Sequence, residues 1–256
     1  MSNDNGTKLN TLLRSHSFGA VLTSSWLTKQ GYSLDLQKRY KKSRWFDSIG
    51  TGALVRHGDQ VDYLGGVYAL QAQLGLSVHP AAKTALSLQG KAHYLEFSPK
   101  TTQLFGYKEE RLPLWFKSRD WGIKVNYKTT LFLPADFGLT EFEHKGFSVR
   151  ISTPARALME CLFLAPASQP LLETYELMEG LNNLRPTSIQ KLLENCSSVK
   201  VKRLFLYMAE KAGHEWLNFL DLNAIDLGSG KRSFAKGGAY VSKYKITVPR
   251  ELEEAV

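Results

Sequence analysis

Apolar and polar positions along this chain alternate in many short blocks rather than a few long ones. Between residues 8 and 14, Leu9, Leu12 and Leu13 share one helical stripe, which Phe18-Gly19 breaks. Thr23 or Ser24 can cap a short helix through Trp26, Leu27 and Gln30, and Gly31 ends it. Ser33 then caps a third helix over residues 34–43. Two short helices around a glycine turn have the spacing of a helix-turn-helix. Next, alternating apolar residues on either side of Gly50-Thr51-Gly52 predict a β-hairpin over residues 45–56. Helix, helix, helix and hairpin is the order of a winged helix. A further helix is predicted over 61–74, and another from Pro80 to Leu88, closed by Gly90.

Beyond Gly90 the pattern is mixed. Residues 92–97 and 123–133 read as extended, and 140–151 as a hairpin turning at His144-Lys145-Gly146. Thr153-Pro154 starts a helix with Ala157, Leu158, Cys161 and Leu162 on its apolar face. Helices are also predicted over 170–184, 187–195 and 200–212, and strand-like sequence returns over 239–248 after a Gly-rich basic loop. The expected fold class is α+β: a winged-helix DNA-binding domain over residues 1–90, then a mixed α+β domain over residues 91–256.

Composition narrows the class. With 43% hydrophobic and 11% aromatic residues in 256, the chain can build real cores, which excludes wholesale disorder. No run approaches the ~20 apolar residues of a membrane span, and the mean hydropathy is -0.26. The polar opening Met-Ser-Asn-Asp-Asn-Gly-Thr shows no signal pattern, so a cytoplasmic protein is expected. Cys161 and Cys196 stand apart with no C-x-x-C, which argues against a disulfide framework or a cysteine zinc site.

Charge points to the first third. The chain carries 33 basic and 24 acidic residues, net +9. Residues 1–90 hold 10 basic against 5 acidic, so over half the excess lies there. Such a balance favours a polyanionic partner. On a wheel of about 100° per residue, Leu36, Tyr40 and Ser43 fall on the inward side of the third helix. Lys38, Lys41 and Lys42 fall outward, flanked by Leu34 and Gln37, while Asp35 and Arg39 are spaced to pair. Lysines neutralise phosphates, a glutamine can pair with adenine, and a leucine can touch a thymine methyl. The first turn, with Leu34, Asp35, Gln37 and Lys38, is where a recognition helix meets base edges. Arg44, Thr51, Arg56 and His57 are the wing-side candidates. Taken alone, a charge run equally describes a solvated face. The preceding glycine turn and the following hairpin are what point to duplex DNA.

Residues 20–95 resemble the N-terminal part of AbiEi-type proteins, transcriptional regulators and antitoxins of bacterial type IV toxin–antitoxin (abortive infection) systems. The resemblance rests on Val21–Leu27, on Gln37–Phe46 as the third helix and its exit, and on Ile49-Gly50-Thr51-Gly52-Ala53 as the wing. Tyr68-Ala69-Leu70-Gln71, His79-Pro80 and Leu88-Gln89-Gly90 extend it, and Thr153–Leu158 resembles the start of the antitoxin domain's later half. Leu34 and Thr51 stand where relatives often carry a basic residue. The resemblance implies a winged helix that binds inverted repeats in its own promoter, with pairing on the DNA a natural consequence of operator dyads. It also implies a C-terminal domain that counteracts a co-encoded nucleotidyltransferase-like toxin, without a need to grip it.

Other signals are weaker. Gly228-Ser229-Gly230-Lys231-Arg232-Ser233 lacks the first glycine and the Ser/Thr of a phosphate-binding Walker loop. Its Lys231 and Arg232, with Lys236, remain candidates for contacting a DNA backbone or an acidic partner. Glu143-His144-Lys145, with Asp120 or Asp136 upstream, matches half of a metal-dependent nuclease site, although the predicted turn points the lysine outward. The reading favoured here expects no catalysis, no cofactor, no metal and no membrane. A nuclease built on Glu143 and Lys145, or a winged helix that binds protein, are its rivals.

Overall fold

The computed structural model describes residues 3–91 and 100–254, and the strand predicted over 92–97 lies outside them. The front of the chain runs α1 (Asn3–Ser15), β1 (Leu22–Thr23), α2 (Ser24–Lys29), α3 (Leu34–Lys42), β2 (Phe46–Gly50), β3 (Ala53–Arg56) and α4 (Tyr63–Tyr68). A π-helical turn over Ala69–Gln73 continues α4, so the helix predicted over 61–74 is one rod with two windings. Next come β4 (His79–Pro80), α5 (Ala82–Leu88), β5 (Thr101–Tyr107), α6 (Leu114–Ser118), β6 (Lys124–Thr130), β7 (Leu139–His144) and β8 (Phe147–Ser152). Helices α7 (Pro154–Leu164), α8 (Leu171–Glu179), α9 (Pro186–Glu194) and α10 (Val199–Lys211) follow. The end carries β9 (Arg232–Ser233), β10 (Ala239–Val241), β11 (Ile246–Val248) and α11 (Arg250–Glu254).

The chain forms two compact units. The first comprises Met1–His79, Glu109–Val125 and Glu141–Arg150; the second comprises Pro80–Lys108, Asn126–Thr140 and Ile151–Val256. A single cut near Gly90 does not describe this division. Helix α5, predicted with the front part, packs on α7 in the second unit, and two later segments return to complete the first.

In the first unit, β1 and β2 both pair antiparallel with β3, in the order β1-β3-β2. Three helices sit with this sheet around one core of Leu9, Leu12, Leu22, Leu27, Tyr32, Leu36, Tyr40, Phe46 and Leu54. The local signals are those of the sequence. Thr23 Oγ1 accepts from the Trp26 N–H and starts α2, and Ser33 Oγ accepts from the Leu36 N–H and starts α3. Gly31, with φ +85°, supplies the left-handed turn between them. At Gly65 a Cβ would stand 1.8 Å from the Gly19 carbonyl oxygen, so only glycine lets α4 approach the chain entering β1.

Asp62 fastens α4 to the β7–β8 hairpin. Its Oδ1 accepts from the N–H groups of Leu64 and Gly65, and its Oδ2 faces His144 Nε2 at 2.8 Å and Lys145 Nζ at 3.0 Å. Burial alone raises the Asp62 carboxyl, but these bonds outweigh it and hold the group below the usual carboxylate range.

The second unit is built on α7, against which α5, α8 and α10 pack. Ala157, Leu158, Cys161 and Leu162 are fully buried, as the apolar stripe predicts. Arg156 and Glu160 are buried too and pair at 2.8 Å. Glu160 also accepts from the Ala82 N–H and the Ser152 hydroxyl, so the charge is fully partnered. The terminal strands form a small sheet, β10-β11-β9, with β9 parallel to β11.

Candidate nucleic-acid interface

Helix α3 is held from behind and open in front. Leu36 and Tyr40 are buried in the core, whereas Lys38, Lys41 and Lys42 are exposed. Leu34 is 59% exposed at the start of the same face. The turn at Thr51 is exposed at the tip of the β2–β3 hairpin. Arg44 is exposed at the exit of α3 with φ +56°, a left-handed backbone that turns the chain sharply into β2. Beside it Trp45 is 47% exposed, an aromatic that the periodicity of the hairpin did not single out for a surface role. A hollow of about 120 Å³ lies on this face, lined by Ser24, Leu34, Gln37, Lys38, Lys41 and Leu54. The arrangement presents cations and one leucine together on a nine-residue helix, with a hairpin beside it. Such a surface can neutralise phosphates while its first turn meets base edges.

Four expectations are corrected. Gln37 is buried, only 3% exposed, and does not project outward. Its Nε2 donates to the Tyr32 carbonyl at 2.8 Å and approaches the Ser24 carbonyl and Thr28 Oγ1 at 3.2 Å. The amide therefore fastens α3 to α2 and its turn and is not free to read adenine. Arg56 is half-buried. One guanidinium nitrogen donates to the Leu13 carbonyl at 2.5 Å, and the group lies 4.2 Å over the Phe18 ring, so it closes the end of α1. Asp35 faces Lys38 at 3.4 Å rather than Arg39, and both side chains remain over 70% exposed. Ser43, expected inward, is exposed because α3 ends at Lys42. His57 pairs with Asp47 at 3.0 Å on the exposed edge of the hairpin.

The basic residues near the end of the chain belong to the second unit. Lys231, Arg232 and Lys236 are exposed on β9 and its flanking loops, and Lys231 Nζ lies 5.0 Å from the Tyr240 ring centre. From inside, the buried Arg203 guanidinium donates to the carbonyls of Leu227, Gly228 and Gly230. This loop turns carbonyl oxygens onto an arginine, which explains its glycines without a phosphate. Of the nuclease candidates, Lys145 does not point freely outward; it bonds Asp62. Asp120 accepts from the Gly122 N–H in an exposed turn, and Asp136 lies in the other unit. Among the described residues no group of three or more His, Cys, Asp or Glu is placed to hold a metal ion. No described helix is long and apolar enough to cross a membrane.

The first unit thus sets an exposed cationic helix beside the β1-β3-β2 sheet, in the element order that the sequence predicts. The chain belongs to the AbiEi family of type IV toxin–antitoxin transcriptional regulators. The family described as "Transcriptional regulator, AbiEi antitoxin, Type IV TA system" matches residues 99–249. Its companion, "Transcriptional regulator, AbiEi antitoxin N-terminal domain", matches residues 5–97. No curated protein matches the chain. Among solved structures, the RV2827C protein from Mycobacterium tuberculosis is similar, at 14% identity and a TM-score of 0.59. The likeness covers 94% of this chain and 89% of that one, and at this identity it speaks for the fold alone.

Proposed function

We propose that this regulator lays α3 in the major groove of duplex DNA, with the β2–β3 hairpin on the flanking backbone, and represses its own promoter through inverted repeats. Lys38, Lys41, Lys42 and Arg44 act on phosphates, and Leu34 reads an apolar base edge. Thr51 at the hairpin tip touches the backbone. The observation that carries this reading is the division of α3 into a buried side fixed by Leu36, Gln37 and Tyr40 and an uncovered cationic side. Lys231, Arg232 and Lys236 form a second basic surface for a DNA backbone or an acidic partner. The protein counteracts a co-encoded nucleotidyltransferase-like toxin; its family description supports the antitoxin role. It acts in the cytoplasm and pairs on its operator.

A mobility-shift titration with the DNA upstream of its own reading frame tests the first part. A discrete shift abolished by mutating the inverted repeat is expected, and equal binding to scrambled DNA overturns it. Co-expression with the neighbouring toxin tests the second. Restored growth is expected, and continued arrest overturns it.

A further inference from the structure

The second unit contains a cleft of about 750 Å³ that plays no part in the reading above. Its volume falls within the roughly 300–1,000 Å³ of small-molecule sites. Lys91, Arg185 and Lys191 line it against a single carboxylate, Asp136, so the lining carries a net charge of +2 (three cations minus one anion). Each of the three cations is solvent-exposed. The lining is mixed: Phe137, 37% exposed, is its one aromatic residue, and Leu192, also in the lining, is almost wholly buried. Asn182 and Asn183 add amides, which both donate and accept. Helices α7 and α9 also begin at this cleft, at Pro154 and Arg185-Pro186, and the residue before each makes no side-chain cap to the first turn. Their amino ends add positive potential to that of the side chains.

We propose that this cleft binds an organic phosphate of mononucleotide size. Inorganic phosphate would need the cations but not the exposed phenylalanine, and a neutral apolar ligand would need Phe137 but not the cations. A nucleotide uses both: its base lies against Phe137, its polar edge meets the asparagines, and its phosphates meet Arg185 and Lys191. Stacking on an aromatic side chain is tolerant of which base is present. The site lies in a different unit from α3, and the proposal does not depend on the DNA-binding reading.

Isothermal titration of the full chain with ATP, GTP, CTP and UTP, and separately with adenosine and inorganic phosphate, tests it. At least one nucleotide should bind, and adenosine and phosphate should bind roughly tenfold or more weakly than it. The variant Arg185→Ala/Lys191→Ala should weaken nucleotide binding by roughly tenfold or more, the factor for one lost charge-assisted hydrogen bond. Because both side chains are exposed, its melting temperature without ligand should stay that of the wild type. Lys38→Ala/Lys41→Ala should leave nucleotide binding unchanged. Absence of binding for every nucleotide up to ~1 mM overturns the proposal. So does phosphate binding as tightly as the nucleotides, full retention of binding in the Arg185/Lys191 variant, or loss in the Lys38/Lys41 variant instead.

Discussion

Replacing Gln37 with alanine should destabilise the first unit and leave the choice of operator bases unchanged. The side chain is 3% exposed, and its Nε2 lies 2.8 Å from the Tyr32 carbonyl, with the Ser24 carbonyl and Thr28 Oγ1 at 3.2 Å. Truncation leaves the Tyr32 carbonyl buried beside a void, at a cost of about 1–3 kcal/mol for the unmatched acceptor. The void adds to this, so a total of about 2–4 kcal/mol is expected, a large part of the ~5–15 kcal/mol that holds an ordinary domain together. Glutamate should be worse than alanine, since an ionised carboxylate has no N–H and would face carbonyl oxygens. Urea unfolding followed by tryptophan fluorescence measures the stability. Titrations against operators carrying single base changes, at a temperature where the variant is folded, measure the specificity. An unchanged unfolding midpoint together with a relaxed preference at one base pair would refute the reasoning and restore Gln37 as a base reader.

Three further outcomes follow from the same structure. Lys38→Ala and Lys41→Ala should each weaken operator binding and reduce the slope of log K against log salt by ~0.9 if each lysine covers one phosphate. Mobility shifts at several salt concentrations check this, and an unchanged slope counts against the assignment. Burial holds the His16 imidazole below its ordinary value, although Nε2 lies 2.9 Å from the Ala20 carbonyl. The unfolded chain therefore takes up a proton first as pH falls below ~6.5, so His16 stabilises fully above that pH and progressively less below it. Melting curves at pH 7.5 and 5.5 should show a smaller acid loss in His16→Phe than in the wild type, and equal losses would contradict this. Arg203→Met should release the loop that its guanidinium holds through the Leu227, Gly228 and Gly230 carbonyls, at a cost of about 3 kcal/mol or more. Limited proteolysis should then cut near Gly230 first, and a wild-type digestion pattern would count against it.

The parts legible in the sequence were those set by local chemistry. Thr23, Ser33, Gly31 and the Gly50-Thr51-Gly52 turn each act on residues within a few positions, so the helix-turn-helix and its hairpin could be read directly. The wheel placed Leu36 and Tyr40 inward and the lysines outward for the same reason. It failed at Gln37 because a wheel knows only the angle of a residue on its own helix. What buries Gln37 is α2 and its turn, lying over a flank that the wheel counts as open. Arg56 failed similarly: its partners, Leu13 and Phe18, are 43 and 38 positions earlier (56 − 13 and 56 − 18). The division into units escaped the sequence because it rests on segments 109–125 and 141–150 returning to the front of the chain. The Gly-rich loop near residue 230 was ambiguous for a related reason. Its glycines serve carbonyls aimed at Arg203, and nothing in Gly228-Ser229-Gly230 names that arginine.

The burial of Gln37 also bears on how α3 would work as the proposed recognition element. A helix of nine residues is shorter than the ~12–15 at which an isolated helix becomes marginally stable in water. Its shape and position must therefore come from packing. Leu36, Gln37 and Tyr40 supply that packing from three of the nine positions, two by apolar contact and one by hydrogen bonds. The outward residues Leu34, Lys38, Lys41 and Lys42 make no comparable contribution, and the Asp35–Lys38 pair is too exposed to add much. Support and exposed charge thus reside in different side chains of one short helix. On the proposed DNA-binding reading, α3 can change what it contacts at Leu34 or Lys38 while its placement against α2 stays fixed. A glutamine reaching into the groove would have tied the two together.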